Sequence, residues 1–465
     1  MGFANEAQTE KAVTSKLDFE NAWPRIQSRA AAAAKLFASF QDSQNDKDAD
    51  PAFVAGMKKG LRAGLRPLRD ELDEYLARDY GDETGKDIEA WKKTAQPFHW
   101  YIEFYTMMQA GGFDVIIGNP PYVEYSKVKE NYQVKSYTTE SCGNIYAYVV
   151  EHSLTLMCKG GYFGMIVPLS LSAGERLQPL RKILQSKTSL ATVSNFEIFP
   201  SKLFDGAFQR LCIVLAADRP KTAGKLYMSK LYRWYSVERP HLIEATGYTC
   251  SPYEKTDTLF PKLVSEVHRS IIQRLKKHVA ARPLDLSIER HSSNSFVYYQ
   301  EATNYWMKAT CRVPFYKKNG VVSNPGHGRF IHFADSAHAN GAMAILNSSL
   351  FYLWFATYSD GFHLSDGLVR NFPCLQSLLS DVQIVNLALL LDDNIKKNAT
   401  MTTRNTKVDA IEIEQYKMSK SKPIIDQIDR VLAKHYGFTD EETDFIINYD
   451  IKYRMGRGGE ADEGE

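Results

Sequence analysis

The chain has 465 residues, of which 44% are hydrophobic and 24% are charged, and its formal net charge at pH 7 is +2. This length is enough for two or three domains, and the composition is ordinary for a soluble globular protein. The near-neutral charge excludes a uniformly basic nucleic-acid binder, so any DNA-binding surface has to be a local patch.

The cysteines are scattered singly, without a Cys-x-x-Cys pair, at Cys142, Cys158, Cys212, Cys250, Cys311 and Cys374. This spacing argues against a zinc site and a disulfide framework, and it is typical of a reducing cytoplasm. The sequence contains no signal peptide and no apolar run long enough to span a membrane. We therefore expect a cytoplasmic protein without a membrane partner.

The N-terminal segment, residues 1–95, is predicted to be mainly helical. Ala30–Phe40 is rich in alanine, and Met57–Arg78 carries leucines at helical spacing among many charges. The polar segment Gln41–Asp50 is predicted to be a loop, and Met1–Lys16 is expected to be loose. We interpret this region as an amphipathic helical hairpin whose basic residues form a solvated face rather than a DNA-binding arm.

From Phe98 the pattern changes to alternating strands and helices, which indicates an α/β domain with a mainly parallel sheet, assigned to residues 96–218. The Lys159-Gly160-Gly161 segment is predicted to be the turn that ends the helix Asn144–Met157. The predicted strands are Phe113–Gly118, Tyr162–Val167, Ala191–Phe199 and Arg210–Ala217, and the predicted helices are Asn144–Met157 and Glu175–Gln185.

The most informative motif is the tetrapeptide Asn119, Pro120, Pro121 and Tyr122, which directly follows the strand Phe113–Gly118. A doubly wound α/β sheet carries its chemistry at the carboxyl ends of its strands. The two prolines fix φ and lack N–H donors, so the turn is stiff. A stiff turn with an amide, backbone carbonyls and an aromatic ring is suited to gripping a planar amine. The alternative is a purely structural turn, because Asn-Pro and Pro-Pro are common turn dipeptides.

The segment from Phe113 to Tyr122 resembles the catalytic motif of the adenine-N6 DNA methyltransferases. The resemblance implies that the side-chain oxygen of Asn119 and the carbonyl of Pro120 accept the two hydrogens of the adenine amino group. The nitrogen lone pair is then localised toward the incoming methyl group. Tyr122 would stack on the target base, which such enzymes flip out of the duplex.

The order of elements after the motif resembles that in the methyltransferase part of type IIG restriction–modification enzymes. The resemblance as a whole extends from about residue 17 to Gly456. In this family a second aromatic residue near a terminal hairpin packs on the other face of the flipped base. Phe199 and Phe204 are the candidates, with Phe199 favoured because Pro200 follows it at a strand end. The alternative for each is a place in the apolar core.

The resemblance implies S-adenosylmethionine as methyl donor, bound by a Gly-rich turn after one strand and an acidic residue after the next. We find no strand followed by Gly-x-Gly. Gly111-Gly112 precedes the motif strand, and Gly160-Gly161 belongs to the predicted helix end. Without the cofactor strands, Phe113–Gly118 is expected to be an exposed apolar sheet edge, which is an association hazard.

This gap leaves three possibilities open for the chain. It is a fragment of a longer protein with a missing N-terminal segment, a subunit of a split enzyme whose partner chain carries the cofactor motif, or a decayed remnant.

Residues 219–375 mix aromatic and basic residues and resemble the DNA target-recognition domain of the same enzymes. Basic side chains contact phosphates, and aromatic and amide groups meet bases, so we expect double-stranded DNA as partner. For any single aromatic residue the alternative is core packing. Val322–Arg329 is predicted to be a polar loop. The candidate DNA contacts are Trp306, Lys308, Arg312 and Arg329.

The segment 376–456 is predicted to be a helical tail, followed by a disordered end at residues 457–465. Ile424–Tyr436 has helical spacing and ends at Gly437, and Thr439–Glu442 is a capping box that opens a last short helix. Nuclease chemistry needs acidic residues and a lysine clustered around a metal ion, and no such arrangement is found, so no metal site is assigned.

The sequence thus predicts an α/β protein with a partial Rossmann-like methyltransferase sheet, an N-terminal helical region, an α+β target-recognition domain and a helical C-terminal tail. The predicted function is site-specific adenine-N6 methylation of DNA, of the restriction–modification or phage-defence type. The alternative is a DNA-binding specificity subunit, or an inactive remnant, without activity of its own.

Overall fold

The computed structural model describes residues 19–46, 48, 50–80, 88–130, 133–204, 206, 208–218, 224–251, 258–405 and 409–455. The predictions for Met1–Lys16 and for the tail at 457–465 lie outside these residues. The chain divides into two compact units. The first unit comprises Met1–Leu171, Glu175–Val193 and Cys212–Lys225, and the second comprises Ser172–Gly174, Ser194–Leu211 and Leu226–Glu465. The five segment boundaries proposed from the sequence stay predictions.

The first unit begins with a group of helices, as the sequence predicts. They are α1 (Phe19–Asn45), α2 (Pro51–Tyr80), α3 (Ile88–Ala95), α4 (Trp100–Glu103) and α5 (Tyr105–Gln109). Helices α1 and α2 bury apolar side chains against each other, among them Ile26, Leu68 and Leu72. The prediction of a loop from Gln41 was wrong for its first half, because α1 continues to Asn45. Phe40 packs into an apolar cluster with Leu61 and Leu65, and this burial carries the helix on into polar sequence.

The central sheet is mixed, which confirms the predicted α/β class. Its order is β1-β2-β4-β3-β5-β6. The strands are β1 (Phe113–Gly118), β2 (Met157–Pro168), β3 (Leu190–Phe196), β4 (Leu211–Ala217), β5 (Lys225–Tyr232) and β6 (Thr249–Cys250). Strands β1 and β2 run parallel, and β5 and β6 run antiparallel. Among the described residues, β1 is an edge strand that pairs only with β2, as the sequence led us to expect.

The glycine pair in β2 does not form the turn predicted from the sequence. Helix α6 (Ile145–Leu156) passes directly into β2, and Gly160 and Gly161 lie inside that strand. The pairing moves from Phe113 opposite Met157 to Val115 opposite Tyr162, so β2 makes a bulge with extra residues there. Gly160 has a φ of 85°, which glycine adopts without strain.

The two faces of the sheet are covered unequally in the first unit. On one face, Phe163, Met165 and Val214 meet side chains of α6 and of α8 (Gln178–Lys187), with the short α7 (Ser170–Ala173) before it. The opposite face exposes four large apolar residues, which we call the open face: Val115, Ile117, Tyr162 and Leu215. A Cβ at Gly164 would lie 3.3 Å from Leu215 and 3.8 Å from Ile117, which places these side chains side by side across the strands.

The second unit combines three small sheets with a set of packed helices. Its remaining strands are β7 (Ala281–Pro283), β8 (Phe296–Gln300), β9 (Ala309–Thr310), β10 (Tyr316–Lys318), β11 (Val321–Val322), β12 (Gly328–His332), β13 (Pro373–Leu375), β14 (Thr400–Asn405) and β15 (Ala410–Gln415). The sheets have the orders β11-β10-β15-β14, β12-β8-β9 and β13-β7. The sequence did not predict the β14–β15 hairpin, which interrupts the otherwise helical tail.

Helices build the apolar core of the second unit. They are α9 (Glu266–Lys277), α10 (Ser336–Asn347), α11 (Ser349–Tyr358), α12 (Asp366–Arg370), α13 (Val382–Asn398), α14 (Lys422–Tyr436), α15 (Asp440–Asn448) and α16 (Ile451–Arg454). Helix α14 ends at Gly437 in the left-handed conformation, and Thr439 and Glu442 form the reciprocal cap of α15, so both terminus predictions are confirmed. No helix among the described residues is long and apolar enough to cross a membrane.

Candidate active site

The Asn-Pro-Pro-Tyr turn lies at the carboxyl end of β1, beside the parallel strand β2. Gly118, the last residue of β1, pairs with Met165. Pro120 is buried and anchors the turn, Asn119 and Pro121 are exposed, and Tyr122 is half-buried. The motif therefore presents its amide side chain to solvent from a fixed backbone.

Tyr122 ties the turn to the neighbouring strand. Its hydroxyl lies 2.5 Å from Oδ1 of Asn119 and 2.9 Å from the carbonyl oxygen of Ile166, and it can donate to either acceptor. Burial raises the pKa of Tyr122 to about 12, so the hydroxyl keeps its proton and acts as a donor at neutral pH. An amide oxygen has two lone pairs, so Asn119 Oδ1 can accept a second hydrogen bond while it holds this one. The sequence did not predict this link between the two motif residues.

The backbone after the turn is fastened to the start of α6. The N–H of Ile145 donates to the carbonyl of Val123 at 2.9 Å, and the N–H of Tyr125 donates to the carbonyl of Gly143 at 2.9 Å. The side chain of Asn144 caps α6 and also donates to Glu124 at 3.0 Å. The turn is thus restrained on both sides, which preorganises the exposed amide of Asn119.

The glycine pairs near the motif do not fit a nucleotide-type cofactor. A Cβ on Gly112 would lie 2.3 Å from the carbonyl oxygen of Leu156, and one on Gly161 would lie 3.2 Å from that of Asp114 in β1. These glycines therefore allow close backbone contact between β1 and β2, and they do not form a phosphate-binding turn. Among the described residues, no Gly-rich turn follows a strand ahead of β1.

The two aromatic candidates of the terminal hairpin lie in the second unit. Phe199 and Phe204 are both more than one-third exposed, so the core alternative is not supported for either. The ring of Phe199 contacts the ring of Phe208 edge to face, with centroids 5.7 Å apart. Phe208 is more exposed than either, and sequence reasoning did not single it out. The only signal for Phe208 in the sequence was a large apolar residue within a mainly polar turn.

The candidates of the recognition region have different surroundings. Trp306 is buried, and its indole N–H donates to the carbonyl of Arg454 at 2.9 Å. The guanidinium of Arg454 lies 4.0 Å from the indole ring, so Trp306 is better explained by core packing than by DNA contact. Arg312 forms a two-point ion pair with Glu414 at 2.7 and 2.6 Å. Lys308 is half-buried. Arg329 is mostly exposed, with one contact to Glu301 at 3.2 Å, and is the best placed of the four to meet a phosphate.

Metal chemistry finds no support in the described part of the chain, where no group of three or more histidine, cysteine and acidic side chains is placed to hold an ion. Buried histidines in this part of the chain are packing residues rather than metal ligands. His268, for example, is buried beside Thr357, and burial lowers its pKa to about 3.

Comparison with known proteins places the motif in a family. Residues 20–204 match the Eco57I restriction-modification methylase family. A protein of Methanocaldococcus jannaschii described as a type II restriction enzyme and methyltransferase is 34% identical over 191 residues, which is 36% of this chain and 16% of the relative. The type II methyltransferase M.HincII of Haemophilus influenzae is 27% identical over 150 residues, which is 30% of this chain and 29% of the relative.

Among solved structures, the type IIL restriction-modification enzyme MmeI in complex with DNA aligns with 73% of this chain and 57% of its own, at 9% identity and a TM-score of 0.40. A TM-score of this size does not establish a shared overall fold. The chain spans less than one-third of the length of the two relatives above, at 16% and 29%. The match over residues 20–204 includes the N-terminal helices, the Asn119–Tyr122 turn, and Phe199 and Phe204. Over residues 20–204 the chain is therefore similar to the Eco57I restriction-modification methylase family.

Proposed function

We propose that the chain is the catalytic and target-recognition part of a site-specific adenine-N6 DNA methyltransferase. The observation that carries this proposal is the position of Asn119. Its exposed amide is held by Tyr122 at the carboxyl end of a strand with a parallel neighbour, where α/β enzymes place their reacting groups. A restriction–modification role would place the protein in the cytoplasm and give it double-stranded DNA as substrate.

The proposed chemistry needs acceptors rather than a strong base. The amino nitrogen of adenine is a poor nucleophile because its lone pair is delocalised into the ring. Asn119 Oδ1 and the carbonyl of Pro120 would accept the two amino hydrogens and so localise the lone pair. The ring of Tyr122 would stack on the flipped base, and its hydroxyl bond to Asn119 would keep the amide oriented. S-adenosylmethionine would supply the methyl group.

The cofactor is proposed to be held mainly by residues beyond those described here, in a preceding segment or in a partner chain. The free side of β1 supports this. Val115 is 62% and Ile117 is 83% exposed, on an edge strand with unpaired backbone groups. A strand added beside β1, with a helix over the open face, would bury both side chains, and each stabilises by about 1.5–3 kcal/mol when fully buried. A cofactor crevice would then form between β1 and the added strand.

The decisive experiment measures N6-methyladenine in DNA by mass spectrometry of its nucleosides. The chain is assayed with S-adenosylmethionine, alone and together with the polypeptide encoded directly upstream. Asn119→Ala is expected to lower the rate by about 100-fold or more, as does loss of one preorganised hydrogen-bonding group in other enzymes. Asn448→Ala, on an exposed helix of the second unit, is the matched control and should keep the wild-type rate. Unchanged methylation by Asn119→Ala would contradict the assignment.

A second candidate is a DNA-binding specificity subunit or an inactive remnant. It is favoured by the glycines at β1 and β2, which serve backbone packing and not cofactor binding. DNA binding without methylation, in the presence of the upstream polypeptide, would select this second function. Binding of S-adenosylmethionine by the chain alone would instead show that the described residues hold the cofactor after all.

A further inference from the structure

The loop between β3 and β4 presents a cluster of exposed aromatic rings in the second unit. We call Phe199, Phe204 and Phe208 the aromatic tip. Phe208 is 68% exposed, although a phenyl ring in water is unfavourable. Among the described residues, the ring makes an edge-to-face contact with Phe199, and the ammonium of Lys202 lies 4.8 Å from its centroid. Exposed aromatic groups beside a cation are typical of surfaces that stack on nucleic-acid bases.

The base of this loop is rigid. Glu197 is buried, accepts a hydrogen bond from the N–H of Ile198 at 2.9 Å, and pairs with Arg210 at 2.5 Å. A Cβ on Gly361 would lie 3.0 Å from this carboxylate, so the 359–363 loop packs closely against the ion pair. The stem that carries the aromatic tip is therefore fixed by a buried charge pair.

The middle of the loop is also supported. Arg239 donates to the carbonyls of Lys202 and Leu203 at 2.7 and 3.0 Å, and its guanidinium lies 4.9 Å from the ring of Trp234. In the described part of the chain, no acidic side chain pairs with Lys202, so its ammonium can move to a phosphate. The loop thus offers an exposed apolar ring on a supported backbone, with a cation beside it.

We propose that Phe208 is a wedge that inserts between base pairs of duplex DNA, into the hole left where a base is flipped out, while Lys202 contacts a neighbouring phosphate. The inference rests on the proposed DNA methyltransferase function and adds a residue to it. Aromatic and aliphatic wedges offset the cost of unstacking in other DNA-deforming proteins. The base contacts of Phe199 and Phe204 stay sequence predictions, and Phe208 is assigned to the hole in the duplex.

The test uses DNA binding by the full chain and no methyl transfer, so its result is independent of the Asn119 experiment. Fluorescence anisotropy compares two otherwise identical duplexes, one intact and one with a single abasic site. The wild-type chain should prefer the abasic duplex, because the hole needs no unstacking. Phe208→Ala should lower that preference by about tenfold, the usual size of one lost stacking contact. Phe208→Trp should keep it.

Two further variants complete the test. Phe53→Ala removes an equally large ring that is 58% exposed in α2 and should bind both duplexes as the wild type does. Lys202→Ala should weaken binding to both duplexes equally and lower the salt dependence by about one phosphate contact. An unchanged preference in Phe208→Ala would overturn the wedge and favour burial of the tip against another polypeptide. Absence of DNA binding by the wild-type chain would also overturn it.

Discussion

The sheet of the first unit and the core of the second unit treat apolar side chains in opposite ways. In the first unit, Ile117 lies in the motif strand and is 83% exposed. In the second unit, Ile345 lies in α10 and is 1% exposed. Both residues belong to apolar runs of the sequence. The difference teaches that an apolar run fixes the element, whereas burial depends on what packs against it.

The core of the second unit also buries charged side chains. Arg454 is buried between the rings of Trp306 and Tyr352, at 4.0 and 4.6 Å. Asp429 is buried nearby and accepts a hydrogen bond from the N–H of Leu350 at 3.2 Å. The core of the second unit therefore encloses charged groups, whereas the open face of the first unit leaves apolar ones exposed. We interpret the open face of the first unit as a surface for association.

The largest effect is expected from the same substitution at the two isoleucines. Ile345→Ala should lower the free energy of unfolding by about 2–5 kcal/mol, because it leaves a cavity in a closed core. Ile117→Ala should change it by less than about 0.5 kcal/mol, because its side chain already faces water. Urea denaturation of the full chain measures both. Equal destabilisation by the two variants would contradict the open face and would indicate that this surface is covered in solution.

A pH effect of intermediate size is expected from Asp429. Burial raises its pKa to about 6 from the usual 3.8. Between these values the folded chain holds a proton that the unfolded chain has released, so stability falls as pH rises from about 4 to 6 and then levels off. The total loss is about 3 kcal/mol.

Asp429→Asn should remove this decline in the free energy of unfolding, measured by denaturation at a series of pH values. Asp444→Asn, on the exposed side of α15, should keep the wild-type decline. A decline of the same size in both variants would assign the pH dependence to other groups.

The smallest effects concern two arginines predicted to bind DNA. Arg312→Ala should lower the free energy of unfolding by about 1–3 kcal/mol, because it leaves the half-buried carboxylate of Glu414 without its two-point partner. Arg329→Ala should change it by less than about 1 kcal/mol, as for an exposed ion pair. Arg329→Ala should instead lower the slope of the DNA-binding constant against salt concentration by about the amount of one phosphate contact. A lowered salt dependence in Arg312→Ala would restore Arg312 as a DNA contact.

Much of the local structure could be predicted from the sequence because it depends on neighbours along the chain. The motif strand Phe113–Gly118, the helix beginning at Asn144, the stop at Gly437 and the reciprocal cap at Thr439 are all observed. Hydrophobic periodicity, capping side chains and glycine conformations act over a few residues, so the pattern contains them.

The incorrect and missing predictions all involve contacts between distant residues. Gly160 and Gly161 have the composition of a helix-ending turn, but the close approach of β1 places them in a bulge of β2. The β14–β15 hairpin was missed because β14 is exposed and mostly polar, and because β15 pairs with β10, nearly one hundred residues earlier. The aromatic and basic sequence around Trp306 is typical of a DNA-binding surface. Its place in the core depends on contacts such as that with Arg454, which lies much later in the chain.

The sequence by itself determined the motif, its strand and the chemistry that Asn119 and Tyr122 can perform, because residue type and local order decide these. Tertiary structure alone decided that Tyr122 holds Asn119 through its hydroxyl and that Phe208 projects into solvent. Exposure and hydrogen-bond partners depend on which distant segments come together, and a linear pattern does not contain that information.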